Sequence, residues 1–297
     1  MILPLRHQAE IRNTWLSERL NTILPEIMRR EGLDMWIVAA REYNEDPVIM
    51  TLLPEPAMSA RRRTILVFCF GANGEFERLA LDRYGHPGFY TPMWKPEVED
   101  QFTCLARVVR ERQPQTIGLN FSPTFAFGDG LSHHEYGLIA AALGDEWMAR
   151  VCSADRVAVG WLERRLPAEL DIYPSIVAMA QRLIAEAFDS RVIRPGTTTT
   201  DDVVWWFRRR MRDLGLRLAW FRPTVEIQAF GKTSRGAPAP GMNKAARRKS
   251  GLCPATCCCD VGFIYQDWQP TTAARLRAKA QPRNRRAGGS ETGTGRR

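Results

Sequence analysis

Along the first 155 residues, apolar positions switch repeatedly between helical and extended spacing. From Glu10 to Arg30, Ile11, Trp15, Leu20, Leu24 and Ile27 recur mostly three to five residues apart. That spacing predicts an amphipathic helix that restarts at Pro25, where the ring removes a backbone donor. After the break at Gly32, the apolar run Met35–Ala40 predicts a buried strand. Arg63–Phe70 and Phe76–Leu81 predict two strands joined as a hairpin across the Gly-Ala-Asn-Gly segment 71–74. Phe102, Leu105 and Val108 define one face of a helix that stops at Pro114, and Thr116–Asn120 then reads as a strand. A further helix is predicted through the segment that begins at Leu131, Ser132 and His133. Helices alternating with short apolar strands imply one α/β domain over residues 1–156.

A second unit is expected over residues 157–265. Pro167 suits the first turn of a helix whose stripe is Ile172, Ile176, Met179, Leu183 and Ala187. Pro195-Gly196 marks a turn, and Thr199 with Asp202 forms a capping-box pattern before a helix that Gly215 ends. Thr224–Gln228 reads as a strand. From Gly231 the pattern dissolves into small and basic residues, interrupted only by the strand-like Cys259–Tyr265. Polar and basic sequence follows Tyr265, so the strand carrying Asp260 is expected to lack a hairpin partner. Residues 266–297 hold too few large apolar side chains to offset ordering entropy, and a disordered tail is expected.

Charge sharpens that boundary. The 297-residue chain has a formal net charge of +9. Residues 231–297 carry 14 Lys/Arg against Asp260, Asp267 and Glu291, a balance of +11, and residues 1–230 balance at −2. A basic tail attracts phosphate backbones, but Trp268 is the only aromatic after Tyr265. A stacking platform is absent, and no nucleic-acid partner is expected. No apolar run approaches the roughly 18 residues of a membrane span, and no apolar core of a signal peptide follows the N-terminus. The expectation is a cytoplasmic protein without a membrane partner.

Candidate chemistry is sparse. Cys69, Cys104 and Cys152 stand singly, whereas Cys253, Cys257, Cys258 and Cys259 crowd into one segment. Adjacent cysteines on extended backbone point to alternate faces, and the spacing matches no zinc site. His7, His86, His133 and His134 are read as surface or capping residues. No Gly-x-Ser-x-Gly nucleophile elbow and no phosphate-binding fingerprint occurs.

Three stretches together resemble the pita-bread metallopeptidases, the Xaa-Pro aminopeptidase and creatinase family. Ala40–Val48 with Ser59–Phe68 is similar to the N-terminal domain of a bacterial subgroup. Ile193–Leu216 is similar to the second helix of the catalytic domain and its lead-in. Cys259–Tyr265 is similar to the strand that presents the first metal-binding aspartate. The resemblance implies a creatinase-like N-terminal α/β domain followed by a partial pita-bread (α+β) domain. It implies an ancestral hydrolysis of N-terminal Xaa-Pro peptide bonds or a related amide, a peptide substrate and a homodimer.

The family's chemistry uses a divalent metal pair (manganese, cobalt or zinc) held by two Asp, one His and two Glu. Asp260 matches the first aspartate. Strand alternation puts Asp260, Gly262 and Ile264 on one face and Cys259, Val261, Phe263 and Tyr265 on the other. Asp267 follows Tyr265 too closely to face Asp260 across a hairpin. After it come only Glu291 and no His, and Arg222 stands where the subgroup has a histidine. The resemblance therefore implies a member whose metal pair is not bound as written. Back-translated, residues 266–281 can read Leu-Ala-Thr-Asp-Asn and then Gln-Gln-His-Ala-Tyr-Val-Leu in shifted frames, strings similar to the family's continuation. The expected cause of the altered composition is a change of reading frame, in a decayed gene or its determined sequence. The rival readings are a non-catalytic binding or dimerisation protein, which would self-associate without metal, and a basic-tailed nucleic-acid binder.

Overall fold

The computed structural model describes residues 3–57, 59–71, 73–194, 197–219, 223–229, 255–261 and 263–264. They divide into two compact units that part between Tyr173 and Pro174, whereas the sequence pattern divides at 156/157.

The first unit is built on a sheet whose strands are β1 (Met35–Arg41), β2 (Arg63–Phe70), β3 (Phe76–Leu81), β4 (Thr91–Pro92), β5 (Ile117–Leu119) and β6 (Val151–Ser153). Their spatial order is β4-β3-β2-β1-β5-β6. β1, β2 and β3 run antiparallel as two successive hairpins, with Met35 opposite Cys69 and Ile65 opposite Leu81. β5 and β6 join in parallel, pairing Met35 with Ile117 and Ile117 with Val151.

Period-two alternation sorts the apolar residues onto two faces. Trp36, Val38, Leu66, Phe68 and Ala80 face one core, completed by Leu20, Leu24, Ile27, Ile49, Leu52 and Trp161. These come from helices α1 (Leu5–Asn21), α2 (Ile23–Arg30), α3 (Ile49–Leu52) and α6 (Asp155–Glu163). Ile37, Ile65, Val67, Leu79 and Leu119 face the other core with Leu105, Val108, Ile139 and Leu143. Those come from α4 (Gln101–Arg112) and α5 (His133–Met148). Burial on both faces is why the central strands read as unbroken apolar runs.

Local chemistry sets the helix limits. Asp100 caps α4 by accepting from the Phe102 and Thr103 amides at 3.0 and 3.1 Å. Ser132 caps α5 through the Glu135 amide at 3.3 Å. The N-terminal helix breaks at Thr22 rather than at Pro25. Pro25 sits in the first turn of α2, where its missing N–H costs no intrahelical bond.

Arg19 joins α1 to the end of α6 and to α7 (Pro167–Ala187). Its guanidinium donates to the Trp161 and Arg164 carbonyls and to Glu169 Oε2, and it lies 4.3 Å above the Trp161 ring. Burial lowers its pKa to about 10, although the Glu169 carboxylate pulls the other way.

The second unit comprises α7 from Pro174 onward, α8 (Thr200–Asp213), β7 (Arg217–Leu218), β8 (Thr224–Ala229), β9 (Ala255–Asp260) and β10 (Phe263–Ile264). The capping box forms: the Thr199 hydroxyl accepts from the Asp202 amide at 3.1 Å, and Asp202 accepts from the Thr199 amide at 2.8 Å. Gly215 ends this segment with φ +71°, a left-handed conformation that glycine adopts without steric cost. Ile176, Leu183, Ile184, Val203, Phe207, Met211 and Val225 are buried, and Arg210 bridges α8 to Glu186 of α7 at 2.9 Å. No helix among the described residues is long and apolar enough to cross a membrane.

Candidate functional site

Asp260 is the final residue of β9, and its Cα lies opposite Thr224, the first residue of β8. The pair runs antiparallel from Thr224↔Asp260 to Ala229↔Ala255. The strand of Asp260 pairs with β8, upstream in the chain, and the expected lack of a hairpin partner after Tyr265 falls outside the described residues. One expectation needs correcting: the strand begins at Ala255, so it takes in Cys257, Cys258 and Cys259. Cross-strand pairing can hold such a segment extended whatever its composition suggests, because β-propensity depends on the neighbouring strand.

The alternation around Asp260 is as expected where it can be followed. Cys259, Val261 and Phe263 are all buried, and Ile264 on the opposite parity is partly exposed. Phe263 pairs with Leu218 and Ile264 with Arg217, so β10 adds to β7 while β9 adds to β8. α8 packs against both β7 and β8. The sequence signals near this arrangement were the capping box and Gly215, which bound α8 and not the strand pairing. Asp267, Arg222, Gly262, Cys253 and Glu291 lie outside the described residues.

No group of three or more His, Cys, Asp or Glu side chains that could hold a metal ion occurs among the described residues. The histidines are dispersed. His133 and His134 open α5 behind the Ser132 cap, and His7 is exposed in α1. His86 instead sits 2.9 Å from Asp82, largely enclosed, with its ring edge-on to Tyr90. Burial pushes the Asp82 carboxyl up, but hydrogen bonds from His86 and Gly85 hold it below its ordinary value. A metal pair therefore does not fit the described donors.

Two further polar constellations, both in the first unit, were not singled out from the sequence. Glu135, 1% exposed, accepts from Arg63 Nε at 2.8 Å and Nη2 at 3.1 Å, and Arg41 Nε lies 3.1 Å from Oε1, the oxygen that Arg63 Nη2 also reaches. The second is a buried chain. Trp36 Nε1 donates to Asn120 Oδ1 and Asn120 Nδ2 donates to Asp46 Oδ2, both at 2.7 Å. Asp46 Oδ1 accepts from the Val48 amide at 2.6 Å. Burial raises the Asp46 pKa, against the pull of Asn120 and the Val48 and Ile49 amides. Both constellations are committed to protein partners: the first fastens α5 to β1 and β2, and the second ties the loops of Asp46 and Asn120 to β1. The signal for both lay in Arg41 and Asp46, within the stretch that carries the family resemblance.

No protein-family model matches the chain, and no curated protein matches its sequence. Its fold does match solved structures. It is similar to an Xaa-Pro dipeptidase from Bacillus anthracis, with a TM-score of 0.54 at 13% identity over 84% of this chain and 62% of the other. It is also similar to dipeptidase PepE from Mycobacterium ulcerans, with a TM-score of 0.51 at 14% identity over 86% of this chain and 62% of that one.

The chain has the fold of the Xaa-Pro dipeptidases. The α/β architecture expected from sequence, a creatinase-like N-terminal domain followed by a partial pita-bread domain, is therefore the one observed. The chain spans 62% of the length of both dipeptidase structures. At this identity the Xaa-Pro dipeptidase likeness describes the fold alone.

Proposed function

We propose that the chain descends from a metal-dependent peptidase acting on Xaa-Pro bonds and, as written, does not hydrolyse them. The single supporting observation is the pairing of Thr224 with Asp260, which sets the family-like aspartate at the end of a strand in the second unit. The described residues give it no group of companion ligands. A two-metal hydrolase needs several oxygen and nitrogen donors to hold both ions and a bridging hydroxide, and one carboxylate cannot do so. Manganese, cobalt or zinc would be the ions of an intact site, and a peptide its substrate.

The altered composition after Gly231 supports a changed reading frame as the origin of this state. Its check is the nucleotide sequence behind residues 230–297. A frame change predicts a second Asp, a His and two Glu in the alternative frames; their absence there counts against it. Activity is tested by incubating the purified chain with manganese, cobalt or zinc and an Xaa-Pro dipeptide. No turnover is expected. Turnover that disappears in Asp260→Ala would overturn the proposal.

A second reading, a non-catalytic binding or dimerisation protein, is favoured by the first unit. Among the described residues, both of its apolar cores are made of residues of that unit. It predicts a homodimer whose mass in solution is unchanged by a chelator.

A further inference from the structure

We propose that the first unit carries a binding site for a small organic carboxylate with an apolar body, built around Arg78 on β3. A cavity of about 430 Å³ lies beside this strand, lined among others by Phe76, Arg78, Phe89, Tyr90 and Arg112. That volume falls in the range of small-molecule sites. β4 pairs only with Leu79 and Ala80, so the cavity lies where the partner strand stops, beside Phe76, Glu77 and Arg78.

Arg78 is the unusual member of this wall. Its Nη1 is covered and has no hydrogen-bond partner among the described residues. The neighbouring acid is already committed: Glu77 Oε2 accepts from Arg112 Nη2 at 2.6 Å and from Nε at 3.0 Å. Glu77 and Arg78 also point to opposite faces of β3, so Glu77 cannot turn to serve Arg78 without leaving Arg112. The Tyr90 hydroxyl donates to the Leu52 carbonyl at 2.7 Å. A cationic donor covered without an acceptor is unfavourable, and proteins ordinarily pair such groups.

A carboxylate in the cavity, with the Arg78 guanidinium turned to face it, supplies the acceptor that Nη1 lacks. The guanidinium presents five N–H donors in a planar fork that a carboxylate engages two at a time. Phe76 and Phe89 offer apolar surface for the rest of the ligand. A bare inorganic anion would leave that surface unused. The same chemistry could arrive as a free acid or as the C-terminal carboxylate of a peptide.

The full chain is titrated calorimetrically with N-acetyl-L-phenylalanine, its C-terminal amide, inorganic phosphate, and a pentapeptide ending in phenylalanine. The acid is expected to bind with a dissociation constant of roughly 10 µM to 1 mM, and the amide at least about tenfold more weakly. A pentapeptide binding more tightly than the acid would assign the site to peptide C-termini; weaker binding would assign it to free acids. Arg78→Met should lose the acid yet melt no lower than the parent, because the covered Nη1 gives up no hydrogen bond. Should that variant not fold, Arg78→Lys keeps the charge without the fork and should bind roughly tenfold more weakly. Equal affinity for acid and amide, phosphate binding as tight as the acid, or parental affinity in the folded Arg78 variant would overturn the site.

Discussion

Replacing Arg19 by Met should destabilise the first unit strongly. Arg19 and Glu169 have side chains only 1% and 5% exposed, 3.2 Å apart. The substitution keeps the apolar stem but leaves the Glu169 carboxylate in the interior without its cation. It also strips the side-chain donor from the Trp161 carbonyl, while the Arg164 carbonyl keeps the Arg165 guanidinium. Breaking a buried pair by removing one partner costs about 3–5 kcal/mol, and we expect roughly 4. The double variant Arg19→Met, Glu169→Gln removes the stranded charge while keeping an acceptor for the Leu166 amide, which Glu169 Oε2 now receives at 2.5 Å. Its cost should fall to about 2 kcal/mol, the remainder reflecting the Trp161 carbonyl and the weakened tie to Arg164. Urea unfolding followed by tryptophan fluorescence measures both, through a shifted midpoint at constant slope. A loss below about 1 kcal/mol in the single variant, or a double variant no better than the single, would refute this account of the cluster.

Other expectations follow from particular contacts. Gly118→Ala should destabilise by about 1–3 kcal/mol, since the new methyl would stand 2.6 Å from Leu33 Cδ2 and 3.0 Å from Ala154 Cβ; urea unfolding reads it. Because the Asp46 pKa is raised on folding, its contribution to stability is full below the unfolded value near about 3.9 and is lost as pH rises through the folded one. The stability of the parent relative to Asp46→Asn should therefore fall as pH rises above about 4, and a flat difference curve would contradict the assignment. A fragment of residues 1–173 should unfold cooperatively. One ending at 156 should be weaker by at least about 3 kcal/mol, because it loses buried Trp161 and the partner of Arg19.

The first unit was legible because its strands are buried on both faces. Met35–Arg41 and Arg63–Phe70 are apolar runs too strong to mistake, and the hairpin from β2 to β3 is written in the Gly-containing turn between them. What escaped detection was short or long-range. β4 and β6 have two and three residues and exist only through their neighbours. The ties from Arg19 to Glu169 and from Asp46 to Asn120 span 150 and 74 residues, so no local periodicity announces them. In the second unit, the Thr199–Asp202 cap is a local signal and was readable. The pairing of β9 with β8 was not, because register is set between strands and Ala255–Asp260 carries no apolar alternation of its own. Asp260 was legible as a position, through the motif around it.

The most direct measurement of the central claim is metal stoichiometry on the full chain. Calorimetric titration with manganese, with bound metal quantified after gel filtration, should show no saturable pair of ions and no difference between the parent and Asp260→Ala. Two equivalents of manganese retained by the parent and lost from Asp260→Ala would contradict it.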